Sequence, residues 1–232
     1  MLRSVLKPVI NHTRFVCLSD THNQHNHMPV PDGDVLIHTG DFTCTGHPHE
    51  VKAFNEFLGT LPHPIKIVIA GNHELTFDIE RYPNLAKRFH PFPFDARKTK
   101  ALLTNALYLE DQAVEVNNIK IYGSPWQPKY KSAWAFNLVH GDERKWDLIP
   151  SDTDILLTHG PPYGHGDLNI FGLTQGCRGL LKAIERTQPK YHIFGHIHEG
   201  YGVSTNQHTC FINASTCNRA YLPVNAPVTF EM

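Results

Sequence analysis

The chain has almost no surplus charge of either sign: 21 Lys and Arg stand against 22 Asp and Glu, a net −1 over 232 residues. A protein that grips nucleic-acid backbone needs a basic field, so extended DNA or RNA is not an expected partner. A small phosphate ester stays open, because bound metal ions could attract it locally. Cysteine is sparse and unpatterned. Cys17, Cys44, Cys177, Cys210 and Cys217 are odd in number, and none stands in a Cys-x-x-Cys pair. A disulfide framework is therefore not expected, and these read as small buried residues in a reducing compartment. No apolar window approaches the ~20 residues of a membrane span, and residues 1–12 hold no stretch long enough for a signal peptide. A cytoplasmic chain with no membrane partner is expected. Low-complexity tracts, internal repeats and long flexible linkers are also missing, so residues 1–232 are expected to form a single domain.

What is present begins with short apolar runs that end on polar residues. Phe15-Val16-Cys17-Leu18 ends at Ser19-Asp20, Val35-Leu36-Ile37-His38 at Gly40-Asp41, and Ile65 to Ala70 at Gly71-Asn72-His73. Ile155-Leu156-Leu157 precedes His159, and Tyr191-His192-Ile193-Phe194 precedes Gly195-His196. Near-continuous apolar runs bounded by turn residues are the pattern of strands covered on both faces. Between them, helical spacing of Val51, Phe54, Phe57 and Leu58 predicts a helix over 48–58 with Pro48 in its first turn, and Leu180, Leu181 and Ile184 predict one over 178–187. Residues 79–89 and 98–105 are further helix candidates. Val114-Glu115-Val116 and Ile119-Lys120-Ile121 around Asn117-Asn118 predict a hairpin, since Asn tolerates the positive φ of its turn. Strands are expected again at Cys210 to Asn213 and Val228 to Phe230. The order suggests two packed sheets flanked by helices.

Five polar blocks close these runs: Asp20-Thr21-His22, Gly40-Asp41, Gly71-Asn72-His73-Glu74, Thr158-His159-Gly160 and Gly195-His196-Ile197-His198. Singly, several have plain explanations; Gly-Asp is a common turn dipeptide, and a lone His after a strand is more often packed than ligating. Crowding polar residues at a buried strand end is costly unless they bind something. Alternate residues of an extended segment share a face, which lets His196 and His198 converge. Jointly the blocks read as a site for two metal ions.

The ordered set Asp-x-His, Gly-Asp, Gly-Asn-His-Glu, His and Gly-His-x-His resembles the signature of the calcineurin-like metallophosphoesterases. Further stretches, among them Gly123-Ser124-Pro125-Trp126, Thr158-His159-Gly160-Pro161-Pro162 and Ile212 to Cys217, are similar to one subgroup, the small metallophosphoesterase-domain-containing proteins of animals and other eukaryotes. The likeness covers almost the whole chain and is thinnest around 24–28 and 165–176. It implies a four-layer α/β/β/α sandwich of two mixed sheets. It also implies that Asp20, His22 and His198 hold one metal, that Asn72, His159 and His196 hold a second, and that Asp41 bridges both. His73 would then protonate the leaving oxygen or stabilise the phosphoryl charge without ligating, a role suited to an imidazole. Mixed imidazole and oxygen ligands suit Mn, Fe or Zn over an all-oxygen Mg or Ca site, and Mn is the expected pair. The implied reaction is attack of a water shared by the two metals on a phosphate ester, with cyclic nucleotides and other small phosphodiesters as the expected substrates. Some members of the subgroup lack the first His of the last block; here His196 is present, which favours a working hydrolase.

Other residues carry weaker expectations. Of Trp126, Trp134 and Phe136, after the hairpin, Trp126 is assigned to the substrate as a ring stacking on a nucleobase beside Asn72 and His73. Core packing is the commoner fate of such a ring. His25 and His27 follow the first block closely enough to line a pocket, though a solvated loop is the plainer reading. His38 is expected to pack beneath the site. Glu74 reads either as an orienting group or as a first-turn helix carboxylate. Arg178 and Arg219 are possible phosphate partners. Three rival functions stand. A Ser/Thr protein phosphatase shares Gly-Asn-His-Glu, but Gly40-Asp41 here continues as Phe42-Thr43 and not as Asp-Arg. A DNA nuclease lacks its basic face. A nucleotide-binding scaffold with little turnover is opposed by the complete ligand set.

Overall fold

The computed structural model describes residues 12–129, 134–138 and 144–232. The reading of residues 1–12 as leaderless falls, His12 apart, outside them. In chain order come β1 (Arg14–Leu18), β2 (Val35–His38), α1 (Pro48–Thr60), β3 (Ile65–Val68), α2 (Tyr82–Phe89), α3 (Ala96–Lys100) and β4 (Leu107–Tyr108). Then follow β5 (Gln112–Val116), β6 (Ile119–Ser124), β7 (Gln127–Pro128), β8 (Asn137–Leu138), α4 (Arg144–Asp147), β9 (Ile155–Thr158) and α5 (Arg178–Thr187). The chain closes with β10 (Tyr191–Phe194), β11 (Gly202–Thr205), β12 (Cys210–Asn213) and β13 (Val228–Glu231). One sheet has the order β13-β1-β2-β3-β4 and the other β11-β12-β10-β9-β6-β5; β7 and β8 pair apart. β1 to β4 run parallel with β13 antiparallel on one side, and β12, β10, β9 and β6 run parallel between antiparallel β11 and β5.

Side-chain alternation sorts the core into layers. Phe15, Cys17, Ile37 and Ile67 of the first sheet meet Ile121, Leu157, Ile193 and Ile212 of the second. Their neighbours Val16, Leu18, Leu36 and Val68 point the other way, under Val51, Phe54 and Leu58 of α1 and Leu85 of α2. On the far side Tyr122, Leu156, Phe194 and Phe211 lie under Leu180 and Ile184 of α5 and Trp146 of α4. A strand buried on both faces must be apolar at every position, which is why these runs do not alternate in polarity. The result is the expected α/β/β/α sandwich. Each fully buried Phe or Leu in these layers contributes about 1.5–3 kcal/mol.

Several boundaries moved for identifiable reasons. α1 starts at Pro48 as expected, on a capping box in which the His47 ring accepts from the His49 N–H and Glu50 accepts from the His47 N–H. The candidate at 79–89 starts only at Tyr82, because the Asp78 carbonyl takes the Arg81 and Tyr82 N–H groups in a turn and Pro83 sits in the first helical turn. The candidate at 98–105 lies instead at Ala96–Lys100: Asp95 caps it, and Asn55 Oδ1 captures the N–H groups of Thr104 and Asn105 as loop. α5 matches 178–187, and the hairpin has Asn117 and Asn118 at φ 50° and 63°. The short β4, β7 and β8 and the exposed edge β11 were not expected; their sequences are too short or too polar to show strand periodicity.

Candidate metal centre

All five polar blocks leave the C-terminal ends of strands: Asp20 and His22 after β1, Asp41 after β2, Asn72 and His73 after β3, His159 after β9, His196 and His198 after β10. The two sheets are tied at this end. Ser19 bridges Ser215, His196 N–H donates to Asp20 Oδ2 at 2.9 Å, and His159 Nδ1 lies 2.9 Å from the Thr39 carbonyl. Asp20, His22, Asp41 and His196 all have positive φ, at 50°, 40°, 54° and 68°. Such backbone costs on the order of 1–3 kcal/mol per residue and persists only where surroundings over-determine it. Glycine makes the close approach possible. A Cβ on Gly71 would lie 2.3 Å from Asp41 Oδ1, and one on Gly195 would lie 2.0 Å from Asp20 Oδ2.

The hydrogen bonds fix the imidazole tautomers, and the tautomers expose the chemistry. His22 Nδ1 faces the Thr43 carbonyl at 3.3 Å, and His198 Nδ1 faces the Asn218 carbonyl at 3.0 Å. A carbonyl only accepts, so each Nδ1 carries the hydrogen. The two Nε2 atoms then face each other at 3.3 Å, with Asp20 Oδ1 3.5 Å from His198 Nε2, in positions open to a proton or a metal ion. His159 repeats the arrangement: Nδ1 donates to the Thr39 carbonyl at 2.9 Å, and Nε2 meets Asn72 Oδ1 at 3.1 Å and Asp41 Oδ2 at 3.2 Å. Acceptors aimed at acceptors in a buried site repel one another unless positive charge lies among them.

Donor atoms of Asp20, His22 and His198 all lie within 4.8 Å of one another, as do those of Asp41, His159 and His196. Asp41 also groups with His22 and His73, so its carboxylate stands between the two clusters. The electrostatics agree. Burial disfavours charge on His159, but the Asp41 carboxylate outweighs it and lifts the ring to about 9. Burial likewise opposes His198, yet its hydrogen bond to Asp20 and that group's charge raise it to about 9. Asp20 and Asp41 are held below the usual carboxylate range despite burial, by His198 and His159 respectively. The two donor sets therefore fit two divalent cations.

A brace of buried polar groups holds these loops. Glu74 accepts from the N–H groups of Gly71 (2.7 Å), Asp41 (2.8 Å) and Thr43 (2.9 Å) and from Thr43 Oγ1 (2.8 Å), tying the second and third blocks together. It is an orienting group in a loop that turns into a short 3₁₀ segment. Burial, then the Asp41 charge, pushes it up to about 8; a cation beside Asp41 would cancel the second contribution. His38 joins the first and second blocks: Gly40 N–H donates to Nδ1 at 3.3 Å, leaving Nε2–H for Thr21 Oγ1 at 3.0 Å. Burial pushes His38 down to about 3, so it stays neutral. Ser215 Oγ donates to Asp20 Oδ2 at 2.8 Å.

Above the clusters opens a cavity of about 280 Å³. Asp41, Asn72, His73, His196 and His198 form part of its lining, and His73 Nδ1 donates to the Cys44 carbonyl at 2.6 Å. The structure does not bring Trp126 there. Its Nε1–H donates to Asp111 Oδ2 at 2.9 Å, and the Arg81 and Lys145 cations lie over its ring at 4.9 and 4.3 Å. The cavity is lined instead by Trp134, packed on His73 with centroids 4.2 Å apart, and by Tyr221, Ile170 and Phe171, which sequence reasoning missed. Nothing local separates Trp134 from Trp126; the only signal was the acidic partner of Trp126, 15 residues away. His25 is buried against Phe54 and Phe57, and His27 is exposed. Arg219 lines the cavity 3.8 Å from Glu199, whereas Arg178 sits over Tyr163.

Comparison with known proteins agrees with the geometry. A family model described as calcineurin-like phosphoesterase matches residues 13–200. Human metallophosphoesterase domain-containing protein 1 is 50% identical over 233 residues, covering 95% of this chain and 71% of the relative. A Nostoc protein named 3',5'-cyclic-nucleotide phosphodiesterase is 22% identical over 192 residues, covering 81% of this chain and 64% of its own length. A solved crystal structure with 12% identity superposes at a TM-score of 0.61 over 87% of this chain and 90% of that one.

Proposed function

Because the chain belongs to the calcineurin-like phosphoesterase family, we propose that it hydrolyses small phosphodiesters, cyclic nucleotides among them, with Mn as the preferred metal. The observation that carries this is the convergence of the Nε2 atoms of His22, His198 and His159 with the Asp20, Asp41 and Asn72 side-chain oxygens, a set that two cations would satisfy at once. Asp20, His22 and His198 would hold one ion, Asn72, His159 and His196 the other, and Asp41 would be shared. Bound there, the ions would polarise the phosphoryl group and lower the pKa of a water nucleophile to near neutrality.

The remaining steps fall to the chain. His73, its Nδ1–H pinned on the Cys44 carbonyl, would in its imidazolium form hand the Nε2 proton to the leaving oxygen and be left neutral. Its Nε2 is 3.9 Å from Asp41 Oδ2, and Trp134 against its face limits its rotation. Glu74 and His38 keep the ligand loops in register. The cavity volume of about 280 Å³ lies just below the roughly 300–1,000 Å³ of small-molecule sites, which suits a small ester. The Nostoc relative's name supports cyclic nucleotides as the substrate class to try first.

The test is hydrolysis of bis-nitrophenyl phosphate and a panel of cyclic nucleotides by Mn-loaded protein, with metal content measured alongside. Two Mn per chain and diester turnover are expected. Stoichiometric metal without turnover of any mono- or diester would replace the enzyme with a nucleotide-binding module.

A further inference from the structure

Two loops frame the mouth of the cavity, and they hold most of the large apolar side chains that the described residues expose. Leu168, Ile170, Phe171 and Leu173 lie on one, with Ile170 51%, Phe171 75% and Leu173 60% exposed; Tyr221, Leu222 and Val224 lie on the other. Clustered exposed apolar surface of this kind marks a place where something binds. Ile170, Phe171 and Tyr221 line the same cavity as the metal-ligand residues.

The first loop is built to hold this display. Asp167, 1% exposed, accepts from the N–H groups of Gly164 and Gly176 at 3.0 Å each and closes the neck. At the tip Asn169 Oδ1 accepts from the Phe171 and Leu173 N–H groups, Asn169 N–H bonds the Leu173 carbonyl, and Gly172 turns the chain at φ +70°. Ordering a loop in order to present Ile-Phe to water costs free energy with no folding return. Tyr221, itself at φ 59°, sets its ring edge-on to His22 at 4.6 Å, and Trp134 is backed by Phe89 at 4.9 Å. Among the described residues, Arg219 is the one Arg or Lys in the wall, and it lies beside Glu199.

We propose that Phe171 and Ile170 of this loop, with Trp134 and Tyr221, form the subsite for the substrate's organic ester group, and that this group is a flat, uncharged aromatic ring. The inference rests on the phosphoesterase site described above and specifies what the phosphate must carry. Three aromatic faces around one cavity recognise a ring by stacking, which is insensitive to which base or aryl group it is.

The test is calorimetric titration of the Mn-loaded chain of residues 1–232 with inorganic phosphate, methyl phosphate, hexyl phosphate, phenyl phosphate and adenosine monophosphate, so that binding is read directly, with any released phosphate assayed alongside. Phenyl phosphate is expected to bind about 5- to 150-fold tighter than methyl phosphate, the range one aromatic stack supplies. Phe171→Ser and Trp134→Leu should each shrink that ratio; the exposure of Phe171 keeps its variant folded even if Trp134→Leu is not. A matching gain for adenosine monophosphate makes the ring a nucleobase, and a gain for phenyl alone makes it an aryl ester. Equal affinities for methyl and phenyl phosphate, equal affinities for hexyl and phenyl phosphate, or a preference surviving Phe171→Ser would overturn the proposal. Failure of inorganic phosphate itself to bind would sink the metal-site reading beneath it, and only that arm reports it.

Discussion

The floor and the rim of the cavity are built on opposite principles. The floor is buried and polar: Asp20, His22, Asp41 and His159 are almost fully enclosed, on backbone with repeated positive φ, and the loops of the first three blocks are cross-braced by Glu74, His38 and Ser215. The rim is exposed and apolar, with Phe171 and Leu173 held up by one Asp and one Asn. The difference teaches where each part of the reaction is decided. A buried set of imidazoles and carboxylates suits charge, so under the proposed function the floor would handle the phosphoryl group, which every substrate of that class shares. An exposed apolar edge discriminates by shape and stacking, so the rim would handle what differs between substrates.

If that division holds, changes in the floor should strike kcat and metal content, and changes in the rim should strike KM. The largest effect is expected of Asp41→Asn, which weakens the carboxylate placed between both donor groups. It should abolish turnover of bis-nitrophenyl phosphate and lower bound Mn, as read by kinetics with metal analysis; a fully active variant would dissolve the shared-carboxylate assignment. Next comes His73→Ala, expected to reduce kcat by about 10²–10⁴-fold, the usual weight of a positioned proton donor. Bound metal should remain at two per chain, and loss of metal would move His73 into the ligand set, as its grouping with His22 and Asp41 allows.

A smaller effect should appear in pH dependence. His159 and His198 sit at about 9 against 6.5 for a free imidazole, so their contribution to the stability of metal-free protein is full below about 6.5 and is lost as pH rises through 9. His38 and His192, pushed down to about 3 by burial, act oppositely: their contribution is present above 6.5 and is lost as pH falls toward 3. Melting temperatures of the metal-free protein should therefore fall between pH 7 and 9 on account of the floor, and Mn loading should flatten that slope. Phe171→Ser should leave it unaltered; a changed slope would mean that rim and floor are coupled. The smallest effect on activity is expected of Trp126→Phe. It should cost about 1–2 kcal/mol of stability through the lost bond to Asp111, with KM unmoved. A rise in KM matching that of a Trp134 variant would restore Trp126 as a substrate contact.

The floor was legible from the chain because each ligand block sits where an apolar run stops. Asp20, Asp41, Asn72, His159 and His196 are fixed to strand ends by local sequence, and parallel strands aligned by a shared core bring those ends together. The second sheet's outer partners were equally readable at α5, whose apolar spacing survives translation into structure without a shift. α2 and α3 were placed less well because their ends depend on the Asp78 turn and on Asn55, about fifty residues away from the loop it captures. The rim was not legible at all: Ile170-Phe171 in a polar stretch looks like any loop, and Trp126 looks as available as Trp134.

By itself, then, the sequence determined most of the strands and helices and which polar residues stand at strand ends, because period, strand length and polar strand ends are local properties; the four-layer arrangement and the proposed ligand set came from its resemblance to a family. Only the tertiary structure decided which nitrogen of each imidazole faces the site, since carbonyls of Thr39, Thr43 and Asn218 from other segments set the tautomers. It also decided which tryptophan meets the cavity. Asp111, Arg81 and Lys145 enclose Trp126, while Phe89 and His73 hold Trp134 at the mouth, and contacts between segments far apart in the chain leave no trace in the spacing of either residue.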